Sequence, residues 1–272
     1  MNGDAMQLQY HQLTGQSGET RRIAFIKASG VSPGVFWLPG LNSDMASTKA
    51  SVLAAWAAQK GRACLRFDYS GHGRSSGTLI GGTISDWLEE AWAVLAAHAE
   101  GPVVAVGSSM GGWIALLLAR RLVAAGQGGR LAGLVLIAPA WDMTEALMWQ
   151  RFPQDVRQEI ETAGVFMRPS AYSEDAYPVT RALIEDGRRH LIGAAGFDPG
   201  CPVRIIHGMA DEDVPWQHGL RLLEVLTGAD MHFTMVKDAG HRLSREGDLA
   251  LLMATIEGLL PPEQPASPDA AR

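Results

Sequence analysis

The chain has 272 residues, of which 47% are apolar and 19% charged, and its 23 basic and 29 acidic residues leave a formal net charge of −6. This composition is typical of a globular domain with a large core, and it excludes a wholly disordered, collagen-like or disulfide-stapled chain. No run of Lys or Arg supplies the positive surface that binding to phosphate backbones requires, so nucleic acid is not expected as a partner.

The cysteines and the N-terminal residues bear on the compartment. Cys64 and Cys201 each lie in an apolar stretch, as small buried side chains do, and indicate neither a disulfide framework nor a zinc site. The first twelve residues carry an acid and several amides where a signal peptide needs a basic start and an apolar core, so we predict a cytoplasmic protein. Residues 101–119 lack charge, but proline, glycine and serine interrupt them, and stable membrane insertion is not expected.

The first 140 residues alternate short apolar runs of β type with longer helical patterns, and Gly or Pro marks nearly every junction. Two of these runs, at 103–106 and 134–137, are apolar on both faces, as expected for central strands of a parallel sheet covered on both sides by helices. The alternation predicts an α/β fold with a mostly parallel central sheet. The predicted strands are 23–26, 35–38, 63–67, 103–106 and 134–137, and the predicted helices are 47–60, 84–99 and 110–124.

Residues 141–200 break this rhythm. They show no strand signal, and their helical fragments are interrupted by three prolines, which predicts a helical lid inserted over the edge of the sheet. Residues 261–272 contain four prolines and no apolar anchor, so they are predicted to be a disordered tail. The predicted core is therefore one discontinuous domain, 1–140 and 201–260. Its second part contains predicted strands at 203–207 and 233–236 and predicted helices at 216–226 and 244–260.

The most specific motif is Gly107-Ser108-Ser109-Met110-Gly111, which follows an apolar strand and opens a helical run. It is a Gly-x-Ser-x-Gly nucleophile elbow in the strand–turn–helix context that such an elbow requires. A serine on so sharp a turn collides with side chains two positions away on either side, and glycines at these positions remove the collision. Ser109 holds the central position and is the predicted nucleophile.

A serine hydroxyl needs a base to take its proton, and that base needs an acid to orient it. His241 follows the predicted strand 233–236, and Asp211 follows the strand 203–207, so both lie on loops at strand ends, where α/β sites are found. The order Ser109, Asp211, His241 is the order of α/β-hydrolases. Asp213 is the alternative acid. His72 is the rival base, but it precedes the nucleophile in a Gly-rich turn.

Stabilisation of a tetrahedral oxyanion requires two further donors. Met110 N–H follows the nucleophile at the start of a helix, with the helix dipole behind it. The second donor is predicted to be Leu41 N–H, because Gly40 allows the chain to turn back over the nucleophile after the strand 35–38. No Walker, HExxH or CxxC sequence occurs, so neither a metal nor an organic cofactor is expected.

Further segments carry a resemblance to a known family: Trp37-Leu38-Pro39-Gly40, Ser47-Thr48-Lys49-Ala50, the run 66–71, Gly107 through Trp113, and 201–216 with Cys201-Pro202, His207-Gly208-Met209 and Val214-Pro215-Trp216. From about residue 22 to 260 the chain resembles the α/β-hydrolase superfamily. Within it, the chain is similar to the mitochondrial palmitoyl-protein thioesterase and acyl-glucuronide esterase subfamily, with Pro169-Ser170-x-Tyr172-Ser173 shared in the lid. The resemblance implies the same triad and oxyanion donors. The composition suggests a bacterial relative.

The predicted activity is hydrolysis of a carboxylic ester or thioester through an acyl-enzyme, with a small-molecule or acylated substrate. Met148, Trp149, Phe152 and Phe166 give the lid apolar side chains that suit an acyl group, although they could equally form the lid's own core. Two alternatives stay open: an acyltransferase or perhydrolase with the same triad, and a hydrolase-fold receptor that holds a small ligand without turnover. The sequence does not determine acyl length or oligomeric state.

Overall fold

The computed structural model describes residues 7–15, 18–170 and 175–261. The predicted disordered tail lies outside these ranges except for Pro261, and so do Tyr172 and Ser173 of the lid stretch. No helix within the described ranges has the length and apolar content needed to cross a membrane.

Eight strands of the described residues form one sheet, and two more form a separate pair. The strands are β1 Leu8–Thr14, β2 Thr20–Ala28, β3 Val31–Leu38, β4 Arg62–Phe67, β5 Val103–Ser108, β6 Leu131–Ile137, β9 Val203–Gly208 and β10 Met231–Val236, with β7 Val165–Arg168 and β8 Tyr177–Thr180 in the separate pair. The order in the sheet is β1-β2-β4-β3-β5-β6-β9-β10. Within it, the pairs β1/β2 and β2/β4 are antiparallel and the remaining neighbours are parallel. The mostly parallel sheet predicted from the sequence is therefore confirmed.

The helices cover both faces of the sheet. Where the sequence predicts one helix at 216–226, the structure has two short ones that meet at Arg221. The other predicted core helices are present with ends within two or three residues of the predicted ones. The helices are α1 Thr48–Gln59, α2 Ile84–His98, α3 Met110–Ala124, α4 Gln154–Ala163, α5 Arg181–Arg188, α6 Trp216–Leu220, α7 Leu222–Val225 and α8 Glu246–Glu257.

The central strand β5 explains why the sheet needs helices on both sides. Its side chains alternate between two cores: Val103 and Ala105 pack on one face with α2 and α3, and Val104 and Val106 pack on the other with α1 and α8. All four are at most 4% exposed. A strand buried on both faces reads as a continuous apolar run, which is the pattern that marks it in the sequence.

The edge strand β1 has no such run, and the sequence analysis did not predict it. Its residues LQYHQLT mix polar and apolar side chains without strict alternation, and most of them are exposed. The strand is held by antiparallel pairing along its whole length with β2, from Leu8 opposite Ile26 to Thr14 opposite Thr20. Pairing of the backbone, rather than burial of side chains, places it in the sheet.

The insertion leaves the sheet after β6 and returns at β9. It contains a π-helix, Met143–Trp149, followed by α4, the β7–β8 pair and α5. The prediction that this region has no strands is wrong. Gly164, with φ 83°, ends α4 and turns the chain into β7, which pairs antiparallel with β8. Pro178 obscured β8 in the sequence, but a two-stranded ribbon has open edges, where proline is tolerated.

A buried charge cluster lies where α2 meets the antiparallel side of the sheet. The fully buried carboxylate of Glu90 accepts hydrogen bonds from Arg21 Nη1 at 2.9 Å and from Ser70 N–H at 2.8 Å. Arg21 also pairs with Asp86 and Glu89. Burial raises the pKa of Glu90 to about 7, although the hydrogen bonds from Ser70 and the charge of Arg21 lower it.

This raised pKa predicts how stability depends on pH. Between 4.5, the ordinary pKa of a glutamate, and about 7, the folded chain holds a proton on Glu90 that the unfolded chain has released, so stability falls as pH rises through that window. From pH 5 to pH 8, the wild type should lose about 2.5 kcal/mol of unfolding free energy relative to Glu90→Gln. Urea unfolding at the two pH values measures this. Glu89→Gln, at a more exposed partner of Arg21, should keep the wild-type dependence, and an equal dependence in Glu90→Gln would refute the assignment.

Candidate active site

Ser109 occupies the sharp turn between β5 and α3. Its backbone has φ 55° and ψ −118°, a conformation that residues other than glycine rarely adopt. Hydrogen bonds from both sides hold it there: Ser109 N–H donates to Ile137 O at 2.9 Å, and Ala140 N–H donates to Ser109 O at 3.1 Å. Two hydrogen bonds to the end of the neighbouring strand β6 and the residues after it thus stabilise the strained backbone of Ser109. The Ser109 side chain is half-buried at the edge of the sheet.

Two glycines make this turn possible. A Cβ at Gly107 would lie 2.3 Å from Gly111 O, and a Cβ at Gly111 would lie 2.0 Å from Leu38 O. Both contacts are with backbone atoms that side-chain rotation cannot move. The motif therefore needs glycine at both positions so that α3 can start directly against β3 and β5.

The structure brings the three residues of the predicted triad together. His241 Nε2 lies 3.0 Å from Ser109 Oγ, and His241 Nδ1 lies 2.8 Å from Asp211 Oδ2. The His241 side chain is 15% exposed and the Asp211 side chain is fully buried. With an N–H on Nδ1 donating to the carboxylate, Nε2 is left unprotonated and faces the serine hydroxyl as an acceptor.

The carboxylate of Asp211 is held on both oxygens. Oδ1 accepts from Asp213 N–H at 3.0 Å and from Val214 N–H at 2.9 Å, while Oδ2 faces His241 and, at 3.5 Å, His207 Nε2. Burial opposes ionisation, but the imidazole N–H groups of His207 and His241 and the Val214 amide outweigh it and hold the pKa of Asp211 well below its usual range. The group beside His241 is therefore an anion throughout the neutral pH range.

The two predicted oxyanion donors lie on either side of Ser109. Met110 is the first residue of α3, where amides have no acceptor within the helix. Leu41 follows Gly40 in the turn after β3, and a Cβ at Gly40 would lie 3.3 Å from Ser109 Cβ. The turn that carries Leu41 therefore passes directly beside the serine.

The sequence of this fold and site matches a known family. The model of the family described as "Alpha/beta hydrolase family" matches residues 33–250, which include the elbow serine, Asp211 and His241. The chain belongs to the alpha/beta hydrolase family. The predicted family and fold are thereby confirmed.

This hydrolase has curated and structural relatives that cover most of its length. It is 33% identical over 239 residues to the human protein named palmitoyl-protein thioesterase ABHD10, mitochondrial. The aligned region covers 88% of this chain and 76% of the human protein. The crystal structure of a protein from Agrobacterium vitis S4, provisionally named a hydrolase, is 42% identical with a TM-score of 0.89 and covers 94% of this chain and 100% of its own. Mouse alpha/beta hydrolase domain-containing protein 10 is 32% identical, with a TM-score of 0.81, over 92% of this chain and 98% of its own.

A cavity of about 470 Å³ opens onto Ser109 and His241. Its apolar lining residues come largely from the insertion, with Met143, Leu147 and Met148, and the insertion also contributes the polar residues Arg168, Ser170 and Tyr177. Further polar lining residues come from the start of α1, where Lys49 Nζ donates to Arg242 O and lies 3.4 Å from Ser244 Oγ. Burial, followed by the charge of Arg242, lowers the pKa of Lys49 to about 8. The cavity lining therefore combines apolar side chains with hydrogen-bond donors.

The four apolar lid residues predicted to bind substrate are divided by the structure. Met148 lines the cavity, but Trp149, Phe152 and Phe166 are not among its lining residues. Phe152 and Phe166 pack edge to face, with ring centroids 5.9 Å apart, and Arg188 lies over the Trp149 ring. These three side chains pack within the insertion, the second of the two roles that the sequence left open. The turn of the π-helix places Met143 and Leu147 at the cavity in their stead.

The rival triad residues occupy other positions. Asp213 lines the cavity, and its backbone N–H donates to Asp211 Oδ1, but the carboxylate that lies 2.8 Å from His241 Nδ1 is that of Asp211. His72 is buried between the rings of Tyr69 and Trp87, with Nδ1 3.1 Å from Ser70 O. It does not line the cavity. Burial lowers the pKa of His72, which favours its neutral form in this packing role.

Within the described residues, one group of side chains could offer three donor atoms to a metal ion: Asp211, Asp213 and His241, whose ligand atoms lie within 4.8 Å of one another. Two of these residues already bond to each other at 2.8 Å, which accounts for their proximity without an ion. The expectation that no cofactor is needed stays a prediction.

Proposed function

We propose that this protein is a serine hydrolase that cleaves carboxylic esters or thioesters with Ser109, His241 and Asp211 as its catalytic triad. The observation that carries the proposal is the continuous chain from Ser109 Oγ through the His241 ring to the buried carboxylate of Asp211. Membership of the alpha/beta hydrolase family supports it. The name of the mammalian relatives, palmitoyl-protein thioesterase, supports a thioester or ester of an acyl group as substrate.

In the first half-reaction, His241 Nε2 takes the proton of Ser109 Oγ as the oxygen attacks the substrate carbonyl carbon. The carbonyl π electrons move to oxygen, and the tetrahedral oxyanion accepts hydrogen bonds from Leu41 and Met110 N–H. His241 then gives its proton to the leaving alcohol or thiol, and the bond from carbon to that group breaks. The acyl group is left on Ser109.

In the second half-reaction, water takes the place of the leaving group. His241 removes a proton from the water, and the resulting hydroxide attacks the acyl carbon through the same oxyanion. Collapse of this intermediate expels Ser109 Oγ, which recovers its proton from His241. Asp211 stays ionised throughout and stabilises the imidazolium form of His241 in each step.

The mixed lining of the cavity supports an assignment of subsites. An acyl group fits the apolar lining residues Met143, Leu147 and Met148, because apolar surfaces favour apolar chains. The leaving group then faces the hydrogen-bond donors at the start of α1, where Lys49 lies. The volume of about 470 Å³ is within the roughly 300–1,000 Å³ of small-molecule sites.

Labelling with a fluorophosphonate, read by intact mass, tests the nucleophile. We expect one adduct on the wild type and none on Ser109→Ala. Ser108→Ala is the matched control, because Ser108 is the adjacent serine at the same cavity and should leave labelling unchanged. Labelling retained in Ser109→Ala would place the nucleophile elsewhere. A folded wild type that takes no label would favour the ligand-binding receptor over the enzyme.

If the wild type takes the label, unlabelled enzyme is then assayed with paired p-nitrophenyl esters and thioesters of increasing acyl length to define the substrate. We propose that the apolar lining residues of the cavity set the acyl length that is hydrolysed fastest. Met148→Ala should enlarge the cavity and move this optimum toward longer acyl chains.

Product analysis with an added alcohol or peroxide distinguishes hydrolysis from acyl transfer. The cytoplasmic location stays a prediction, since the human relative is named as mitochondrial.

A further inference from the structure

His207 is a second histidine at the acid of the triad, and the mechanism above does not use it. It lies near the end of β9 and is fully buried. Its Nε2 is 2.9 Å from Val214 O and 3.5 Å from Asp211 Oδ2. Its ring stacks on that of Phe233, with the two ring centroids 6.0 Å apart. Two oxygen acceptors on one nitrogen require a hydrogen there, so His207 carries its proton on Nε2.

The other ring nitrogen defines the charge of this histidine. Nδ1 is buried and has no hydrogen-bond partner within the described residues. A Cβ at Gly219 would lie 2.4 Å from it, so α6 covers this edge of the ring with backbone. A second proton on the ring would be buried without an acceptor, which favours the neutral form. His207 is therefore a fixed, neutral donor that faces Val214 and Asp211.

The position of Val214 links this donor to the carboxylate. Val214 N–H donates to Asp211 Oδ1, and Val214 O accepts from His207, so the histidine and the carboxylate both hold the loop of residues 211–214 through Val214. A buried imidazole with an unpartnered nitrogen is costly, and an apolar residue of that size would avoid the cost. The polar contacts that the imidazole offers in return are those to the acid and its loop.

We propose that His207 is a positioning residue for the catalytic acid: it fixes the loop that carries Asp211 and donates toward the same carboxylate oxygen that orients His241. This inference rests on the triad proposed above. It assigns two imidazoles to one carboxylate, one that exchanges protons with substrate and one that does not.

The pH profile of kcat/KM separates this role from packing alone. Loss of the His207 N–H leaves the Asp211 carboxylate with fewer donors, so it attracts the proton of the His241 imidazolium more strongly. The imidazolium becomes harder to deprotonate, and the acidic limb moves to higher pH. The three His207 variants leave the surrounding charged and titratable groups unchanged: Lys49, Arg168, Tyr177, Asp213 and Arg242 line the cavity with His241, and His218, with Arg151 and Arg221 near it, lies beside His207.

The experiment compares three substitutions, each normalised to the serine that a fluorophosphonate titrates. His207→Phe keeps a ring against Phe233 but has no donor, and we expect its acidic limb to rise by about half a pH unit or more and its kcat/KM to fall about tenfold. His207→Gln places an amide N–H near the Nε2 position and should restore both. His207→Asn reaches only the Nδ1 position and should behave like Phe, which keeps the test available if the Phe variant does not fold.

His218→Gln is the matched control. His218 is a buried histidine on α6 that contacts Trp141 O at 2.7 Å and does not contact Asp211, so its acidic limb should equal that of the wild type. Limbs that coincide in wild type, His207→Asn and His207→Phe would overturn the proposal, as would a shift in His207→Gln as large as in Phe. Failure of the triad itself is detected separately, by turnover that survives in Ser109→Ala.

Discussion

Replacing Asp211 by Asn should lower kcat about ten-thousandfold, the loss expected when the acid of a serine triad becomes an amide. The amide nitrogen can donate to His241 Nδ1. The imidazole then carries its proton on Nε2, and this nitrogen can no longer accept the proton of Ser109. The hydrogen bonds from Asp213 and Val214 N–H to the retained oxygen should preserve the loop. The loss should therefore appear in kcat while the folded state survives.

Asp213→Asn is the matched control for this substitution. Asp213 is two residues away, lines the same cavity, and contacts Asp211 through its backbone. Its amide variant should keep kcat within about threefold of the wild type, as expected of a residue outside the proton path. Steady-state kinetics at pH 8, with thermal unfolding as the check on folding, measure both. If Asp213→Asn showed the large loss and Asp211→Asn the small one, the acid would have to be reassigned.

Much of this site could be predicted because its parts are short and local. Gly107 through Gly111 contain both the proposed nucleophile and the glycines that its turn requires, and the apolar run before them identifies the central strand. His241 and Asp211 could be predicted because parallel strands end at the same edge of a sheet, so loops far apart in sequence meet there. The prediction that Ser109, Asp211 and His241 lie together therefore depends more on the topology of the sheet than on any single residue.

The features that escaped prediction depend on tertiary packing. β1 is an exposed edge strand held by backbone pairing, and β8 contains a proline in an open-edged ribbon. The cavity residues Met143 and Leu147 are oriented by a π-helix, whose turn differs from the helical period that a sequence pattern assumes. His207 could be noticed only in the His-Gly-Met segment of the family resemblance, because its contact with Asp211 depends on how the loop folds back.

Replacing Gly111 should lower both the stability of the fold and the rate of the proposed reaction. A Cβ there would lie 2.0 Å from Leu38 O and 2.5 Å from Pro39 O, so the end of β3 must move away from α3. We expect Gly111→Ala to lower the free energy of unfolding by about 3 kcal/mol, the upper range for overpacking. The same shift displaces Gly40 and Leu41, which follow Pro39, and should lower kcat/KM about a hundredfold.

Gly129→Ala separates this local effect from any general effect of the substitution. A Cβ at Gly129 would have nothing within 4 Å, and its φ is not in the left-handed region. Its unfolding free energy should stay within about 0.5 kcal/mol of the wild type, with kcat/KM unchanged. Urea unfolding and kinetics per labelled serine measure the two losses separately. The contradicting outcome is a destabilised Gly111→Ala whose kcat/KM, normalised to the serine that the fluorophosphonate titrates, equals that of the wild type. The end of β3 would then have moved without affecting the reaction, and the turn at Leu41 would not supply an oxyanion donor.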